Sequence, residues 1–229
     1  MPATVSENLS SVFDRISRAA RKAGREPGEV RLIAATKGVE PKKIKEALGA
    51  GVFAFGENYV QEAEQKKEKI KAKGIEWHFI GHLQKNKARL AIKLFSTIHT
   101  LDSLELAVEL NKRAETPVTA LIEVNIAREK TKNGVDMEGA VKLARGISGL
   151  KNIRLVGLMT IPPPQVNGPE GARPYFVTLR RLAERINKEK IPGVFLRHLS
   201  MGMSSDFEVA IEEGATMVRI GTAIFGPRP

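Results

Sequence analysis

The feature that most constrains this chain is an alternation of short apolar runs with charged segments of helical spacing. The apolar runs are rich in Val and Ile, and they cover residues 30–36, 52–56, 76–81, 97–101, 118–126, 153–161, 194–200 and 216–226. Strands that alternate with helices pair in parallel through right-handed crossovers. Eight such units in about 200 residues, with no Gly/Ser-rich linker between them, favour a closed barrel over two open sheets.

Residues typical of helix starts occur between the apolar runs, as this alternation requires. Four of the charged segments begin with a typical start residue, at Pro41, Asn58, Asp102 and Ser205. An additional amphipathic helix precedes the first strand, because Thr4 and Glu7 form a capping box at its start. We therefore predict an α/β fold, a (β/α)8 TIM barrel with an extra N-terminal helix. We expect one domain over residues 1–229, with the helix in 1–27 and the barrel in 28–229.

Composition narrows the class of protein. The 37 Lys and Arg exceed the 26 Asp and Glu, giving a net charge of +11, but only 5% of the residues are aromatic. Because base stacking needs aromatic side chains, we expect no nucleic-acid partner. The chain has no cysteine, which excludes disulfides and thiolate metal sites. No signal peptide or apolar membrane span is evident, so we predict a cytoplasmic protein.

The first apolar run ends in a lysine, Lys37 in "RLIAATKG". In barrels of this kind, functional residues gather where strands pass into the following loops. Lys37 is therefore either an ordinary surface lysine or a partly desolvated amine that attacks a carbonyl and forms a Schiff base. We expect Thr36 and Gly38 to give it a narrow, flexible setting.

Two later segments favour the second reading of Lys37. "SMGMSSDFE", residues 200–208, leads from strand 7 into a helix, and "VRIGTAIFG", residues 218–226, ends strand 8. Together they occupy the loops that bind phosphate in many barrels. In a closed barrel, strands 1 and 8 are neighbours, so one ligand could contact all of these residues. The ligand would be a small aldehyde with a phosphate, either pyridoxal 5′-phosphate (PLP) or a sugar-phosphate aldol substrate.

Six motifs in order carry a family resemblance from residue 30 onward. They are "ATKG", "FGENYVQE", "WHFIGHLQKNK", "GLMTI", "LSMGMSSDFEVAI" and "VRIGTAIFG". The sequence resembles the pyridoxal phosphate homeostasis protein family, whose members are related to the barrel of alanine racemase. The resemblance implies an alanine racemase-type barrel and PLP as the cofactor.

The resemblance also implies roles for individual residues. Lys37 matches the lysine that holds the cofactor as a Schiff base, and Arg219 matches the arginine that faces the pyridine nitrogen. Asn58 matches a residue of the cofactor pocket, although an N-cap role fits it as well. The phosphate cradle would include Ser204, Gly221 and Thr222, with Ser200 and Met203 nearby.

The resemblance implies cofactor binding more directly than catalysis. Alanine racemases append a C-terminal β domain that brings a catalytic tyrosine to the partner subunit, and neither Tyr59 nor Tyr175 matches that residue. We therefore expect a chain without that domain, no catalytic residue, and a monomer that buffers PLP or delivers it to apoenzymes. An amino-acid racemase or a lysine-dependent aldolase is the alternative. The four histidines are scattered, so we expect no metal site.

Overall fold

A computed structural model describes residues 3–129, 131–164 and 168–227 of the chain. Eight parallel strands form a closed barrel in sequence order, and β1 pairs with β8 to close it. The strands are β1 Arg31–Ala35, β2 Ala54–Glu57, β3 Glu76–Phe79, β4 Thr97–Leu101, β5 Val118–Glu123, β6 Ile153–Met159, β7 His198–Ser200 and β8 Met217–Ile220. The predicted (β/α)8 barrel is confirmed.

Helices alternate with these strands and surround the barrel. They are α1 Val5–Lys22, α2 Pro41–Gly49, α3 Val60–Ile70, α4 Ala88–Leu94, α5 Leu104–Arg113, α6 Met137–Ile147, α7 Arg173–Lys188, α8 Phe207–Glu212 and α9 Thr222–Phe225. Short 3-10 turns cover Pro27–Glu29, Lys85–Lys87 and Pro169–Ala172. The main core lies between the helices and the outward side chains of the strands.

The leading helix α1 packs against α8, α9 and α2. Its capping box forms as predicted, since the Thr4 hydroxyl accepts from the amide of Glu7 and the Glu7 carboxylate accepts from the amide of Thr4. Arg15 makes two hydrogen bonds, of 2.7 and 2.9 Å, to the carboxylate of Glu208 in α8. Asn8 donates to the carbonyl of Ile224 in α9. The helix is thereby attached to α8 and α9, which adjoin the loops predicted to bind phosphate.

Several element boundaries differ from the sequence prediction. Strand β8 ends at Ile220, and the predicted strand beyond it is the short helix α9. Asn58 does not cap α3, because the N-cap residue is Tyr59. The predicted caps of α5 and α8 are each one residue early, since Ser103 and Asp206 occupy those positions. The β8 error arises because the strand ends where its pairing with β1 ends, which local composition does not reveal. The cap errors are shifts of one residue at helix ends.

The barrel interior is partly polar. Alternate residues of each strand point inward, where Ile33, Ala54 and Met217 form a small apolar cluster separate from the main core. Buried polar side chains follow along the same interior, and they include His78, His99, Ser200 and Arg219.

Within the described ranges, no helix is long and apolar enough to cross a membrane. The sequence "PPPQVNGPEG", residues 162–171, is typical of a long exposed loop, and residues 165–167 of it lie outside the described part of the chain. A 3-10 turn over Pro169–Ala172 ends that segment.

Candidate functional site

A cleft of about 310 Å³ opens where the strands pass into their following loops. Six of the eight residues predicted for the site line it together: Asn58, Met203, Ser204, Arg219, Gly221 and Thr222. Ala35, Ile80, Ile161 and Ser205 complete its wall. The other two predicted residues lie next to this cleft, Ser200 behind Arg219 and Lys37 beyond the end of β1. The structure thus brings residues from distant parts of the chain to one place.

Arg219 is the cation of the cleft and is buried, with 4% of its surface exposed. Its Nη1 donates to the Ser200 hydroxyl at 2.6 Å, and its Nη2 donates to the carbonyl of Thr160 at 2.9 Å. Burial lowers the pKa of Arg219 to about 10, so the guanidinium stays charged at neutral pH. A guanidinium has five N–H donors, and these two bonds leave others for a ligand.

A chain of hydrogen bonds runs from Arg219 through the barrel interior. Because arginine has no acceptor, the Ser200 hydroxyl accepts from Arg219 and is free to donate to Nδ1 of His99, 2.9 Å away. His99 then carries its proton on Nε2 and donates to Nδ1 of His78, at 2.9 Å. Nε2 of His78 then carries the proton of that ring and lies 3.9 Å from Oε2 of Glu76, which is beyond hydrogen-bond distance.

The opposite direction of this Arg219–His78 chain is disfavoured. It would leave the Ser200 proton without an acceptor among the described residues and would set a bare His78 nitrogen against a carboxylate. Burial lowers the pKa of His78 to about 4 and lowers that of His99 well below 6.5. Both imidazoles are therefore neutral at neutral pH, and the chain adds no charge beyond that of Arg219.

Two carboxyl groups complete the electrostatics around Arg219. Glu123 ends β5 and is 8% exposed, and its Oε2 has no hydrogen-bond partner among the described residues. Burial, with repulsion from Asp102, raises the pKa of Glu123 to about 7. Burial also raises the pKa of Asp206, whose Oδ1 accepts from the amide of Met203 at 2.7 Å. Glu123 and Asp206 both favour the charged form of Arg219.

The loop after β7 and the end of β8 face the cleft with hydroxyl and amide groups. The Ser204 hydroxyl accepts from the amide of Ala223 at 3.2 Å, which joins the two segments. Gly202 has φ +93°, and a Cβ there would lie 2.6 Å from the Cβ of Ala210. Only glycine therefore lets this loop turn so close to α8.

Asn58 lies at the opposite side of the same cleft. A Cβ on Gly81 would lie 2.2 Å from the carbonyl oxygen of Asn58, so the two backbones pass each other closely. This contact holds the β2–α3 loop against the end of β3. A second cleft, of about 370 Å³, begins on the far side of Asn58 and Tyr59 and is bordered by His82 and Lys87.

Lys37 stands beside the cleft but is not among the residues that line it. Its side chain is half-buried, and Nζ lies 5.2 Å from the centroid of the Tyr59 ring, which is a cation–π arrangement. Tyr59 is 54% exposed, so the amine can be reached from solvent.

The residues on both sides of Lys37 are held by charged side chains. The Lys66 amine donates to the carbonyl of Thr36 at 2.5 Å, to Glu57 Oε1 at 2.6 Å and to Glu62 Oε1 at 2.7 Å. The Thr36 hydroxyl also donates to Glu57, and the amide of Gly38 donates to Glu62, both at 2.6 Å. The backbone on both sides of Lys37 is therefore tightly hydrogen-bonded.

This Glu57–Lys66–Glu62 network, and the histidines and Glu123, were missed by sequence reasoning. One signal was available, since Glu62 and Lys66 are four residues apart on a helix. Lys66 also occupies the buried face of α3 with Val60 and Ala63, a position where a lysine is unusual.

Within residues 3–129, 131–164 and 168–227, no group of three or more His, Cys, Asp and Glu side chains is arranged to hold a metal ion.

Comparisons with known proteins agree with this architecture. The family described as "Alanine racemase, N-terminal domain" matches residues 8–229. A pyridoxal phosphate homeostasis protein of Aquifex aeolicus is 47% identical over 225 residues, which cover 97% of each chain. The protein of the same name from Escherichia coli is 42% identical over 230 residues, covering 98% of this chain and 97% of that one.

A solved structure extends the likeness to three dimensions. PipY of Synechococcus elongatus, solved with PLP bound, superposes with a TM-score of 0.85 at 33% identity, covering 97% of this chain and all of that one. Sequence relatives and fold therefore agree over nearly the whole length. The chain belongs to the pyridoxal phosphate homeostasis protein family, which shares the alanine racemase N-terminal barrel.

Proposed function

We propose that this chain binds PLP at the barrel mouth, as a Schiff base on Lys37, and takes part in intracellular PLP homeostasis. In this role it buffers the reactive aldehyde or delivers it to PLP-dependent apoenzymes. One observation carries the proposal: a cleft that joins a buried guanidinium to a rim of hydroxyl and amide groups lies beside a half-buried lysine. The names of the relatives and the PLP bound to PipY support it.

The residues present fit this cofactor. Ser204, Gly221 and Thr222 offer a hydroxyl-rich rim for a phosphate, with Met203 on the same loop and Ser200 behind it. Asn58 lies across the cleft, where it can contact the ring system. A cleft of about 310 Å³ lies within the volume range of ligand sites.

When bound, PLP supplies an aldehyde, which condenses with a primary amine and releases one water. Lys37 would donate that amine. Arg219 would offer the pyridine nitrogen an N–H donor and no carboxylate, so it would not favour a protonated ring. Chemistry that depends on a positively charged ring, such as transamination, is thereby disfavoured.

The direct test is covalent trapping of the cofactor. The purified chain is mixed with PLP and treated with borohydride, and the peptides are mapped by mass spectrometry. We expect a visible absorption band that disappears on reduction, and a pyridoxyl group on the peptide that contains Lys37. Lys37→Ala is expected to abolish both signals.

A matched control and a turnover assay complete this test. Lys42→Ala removes an exposed lysine of α2 from the same region and should leave trapping unchanged. A band that survives in Lys37→Ala would contradict the site. Formation of D-alanine from L-alanine by the loaded protein, above the rate of free PLP, would replace the binding role with racemisation.

A further inference from the structure

We propose that Glu57, Glu62 and Lys66 are positioning residues that hold the cofactor lysine in place through its backbone. The inference rests on the proposed function, because it assigns these residues to the placement of Lys37. None of the three lines the cleft, so each would act through the residues next to Lys37.

The network contacts the chain on both sides of Lys37. On the N-terminal side, the carbonyl and the hydroxyl of Thr36 are bound by Lys66 and Glu57. On the C-terminal side, the amide of Gly38 donates to Glu62. The two contacts are connected, because the amine of Lys66 binds both carboxylates. The Cα of Lys37 is thus held between two fixed neighbours.

Placement of the backbone matters here because the side chain is long and mobile. A lysine reaches its target through four methylene groups, so only its Cα position and direction are set by the fold. Gly38 adopts φ +69°, and the amide of Val39 donates to the carbonyl of Thr36, which makes a tight turn around the lysine. Bonds to both sides of this turn fix the point from which the amine reaches the cleft.

The position of Lys66 argues that the network has this purpose. The buried face of α3 consists of Val60, Ala63, Lys66 and Ile70. Uncharged residues at positions 57 and 66 together would satisfy the packing, and they would avoid taking two charges out of water. The charged side chain instead bridges α3, β2 and the β1–α2 turn.

The test uses Glu62→Ala, because the Glu62 side chain is 26% exposed and water can replace it without leaving a buried charge. Two properties are measured: hydrogen exchange of the Gly38 amide in the ligand-free protein, and the affinity for PLP from the Schiff-base band. We expect faster exchange at Gly38 and about 10-fold weaker binding, since small displacements of a reacting group are costly.

Two companion variants separate positioning from stability and charge. Glu68→Ala removes an exposed carboxylate of the same helix and should change neither property. Glu62→Gln keeps an oxygen that accepts from Gly38 and from Lys66, so it should restore both properties. Unfolding curves are recorded for each variant to show that it remains folded.

The possible results distinguish a failure of the positioning proposal from a failure of the proposed function. Unchanged PLP affinity in a folded Glu62→Ala variant would overturn the proposal, as would a Glu62→Gln variant that behaves like Glu62→Ala. If the unmodified chain forms no pyridoxyl group at Lys37, the proposed function fails instead. The exchange rate of the Gly38 amide would still report whether the network holds the turn.

Discussion

The two sides of the cleft are held in different ways. On the β1–β2 side, the Glu57–Lys66–Glu62 network fixes the backbone around Lys37 with charged groups. On the β7–β8 side, the Arg219–His78 chain fixes a guanidinium with neutral partners, a serine and two uncharged histidines. The network on the β1–β2 side positions the backbone around Lys37. The chain on the β7–β8 side positions the guanidinium of Arg219.

Under the proposed function, the difference follows from what each side would present to a ligand. A lysine that forms a Schiff base must keep its amine free, so the stabilising bonds go to its neighbours. An arginine that donates to a ligand can be held by its own remaining N–H groups, two of which bind Ser200 and Thr160. Charged partners on the second side would compete with the ligand for the guanidinium. The pKa of Glu123 is raised to about 7, which weakens that competition.

The largest loss of stability is expected when the Glu57–Lys66–Glu62 network is broken. Lys66→Met leaves Glu57, which is fully buried, without its cation, and should lower the free energy of unfolding by about 3–5 kcal/mol. The double variant Lys66→Met/Glu57→Gln removes both charges and should recover most of that loss. Urea unfolding of the three proteins measures the difference.

Lys67→Met is the matched control for this substitution. Lys67 is the next residue of α3 and makes one hydrogen bond, to the carbonyl of Leu94. Its loss should cost about 1 kcal/mol. If Lys66→Met costs no more than Lys67→Met, then the buried network does not stabilise this side of the cleft, and the contrast between the two sides is lost.

A pH-dependent effect is expected beside Arg219. The pKa of Glu123 is about 7 in the folded chain and 4.5 when unperturbed, so the folded state binds the extra proton between these values. A rise in pH through this window therefore lowers the free energy of unfolding, by up to about 3 kcal/mol. Glu123→Gln stays neutral, so near pH 8 it should be more stable than the unmodified chain by about 1–3 kcal/mol.

Urea unfolding below and above this pH window tests the prediction for Glu123. The two proteins should converge at the acid end, where Glu123 is protonated in both the folded and the unfolded state. Glu138→Gln is the control: Glu138 is exposed and binds Arg185, which lowers its pKa, so no stabilisation should appear at high pH. A constant difference between Glu123→Gln and the unmodified chain at all pH values would show that Glu123 does not titrate in this window.

The barrel could be predicted from the sequence because its alternation is a local, repeated pattern. The end of β8 could not, because Gly221 leaves the strand where pairing with β1 stops, and that depends on the neighbouring strand. Lys37 and Arg219 were found because each stands at a strand end or in a familiar motif. Ser200 was predicted only as a neighbour of the phosphate cradle, and the other side chains that hold Lys37 and Arg219 were missed for a different reason. His99 and Ser200 are about a hundred residues apart, and only the closure of the barrel makes them neighbours.

The smallest of these changes in stability is expected in the Arg219–His78 chain of hydrogen bonds. Ser200→Ala removes a hydroxyl that accepts from Arg219 and donates to His99, and leaves both groups buried without that partner. We expect the free energy of unfolding to fall by about 2 kcal/mol, because an unsatisfied buried polar group costs about 1–3 kcal/mol.

Ser204→Ala is the matched control in the same cleft. The Ser204 hydroxyl accepts from the amide of Ala223 and is half-buried, so water can replace it and the loss should be about 0.5 kcal/mol. A Ser200→Ala variant as unstable as Lys66→Met would mean that the Arg219–His78 chain stabilises the fold as strongly as the Glu57–Lys66–Glu62 network. The two sides of the cleft would then differ in chemistry but not in energy.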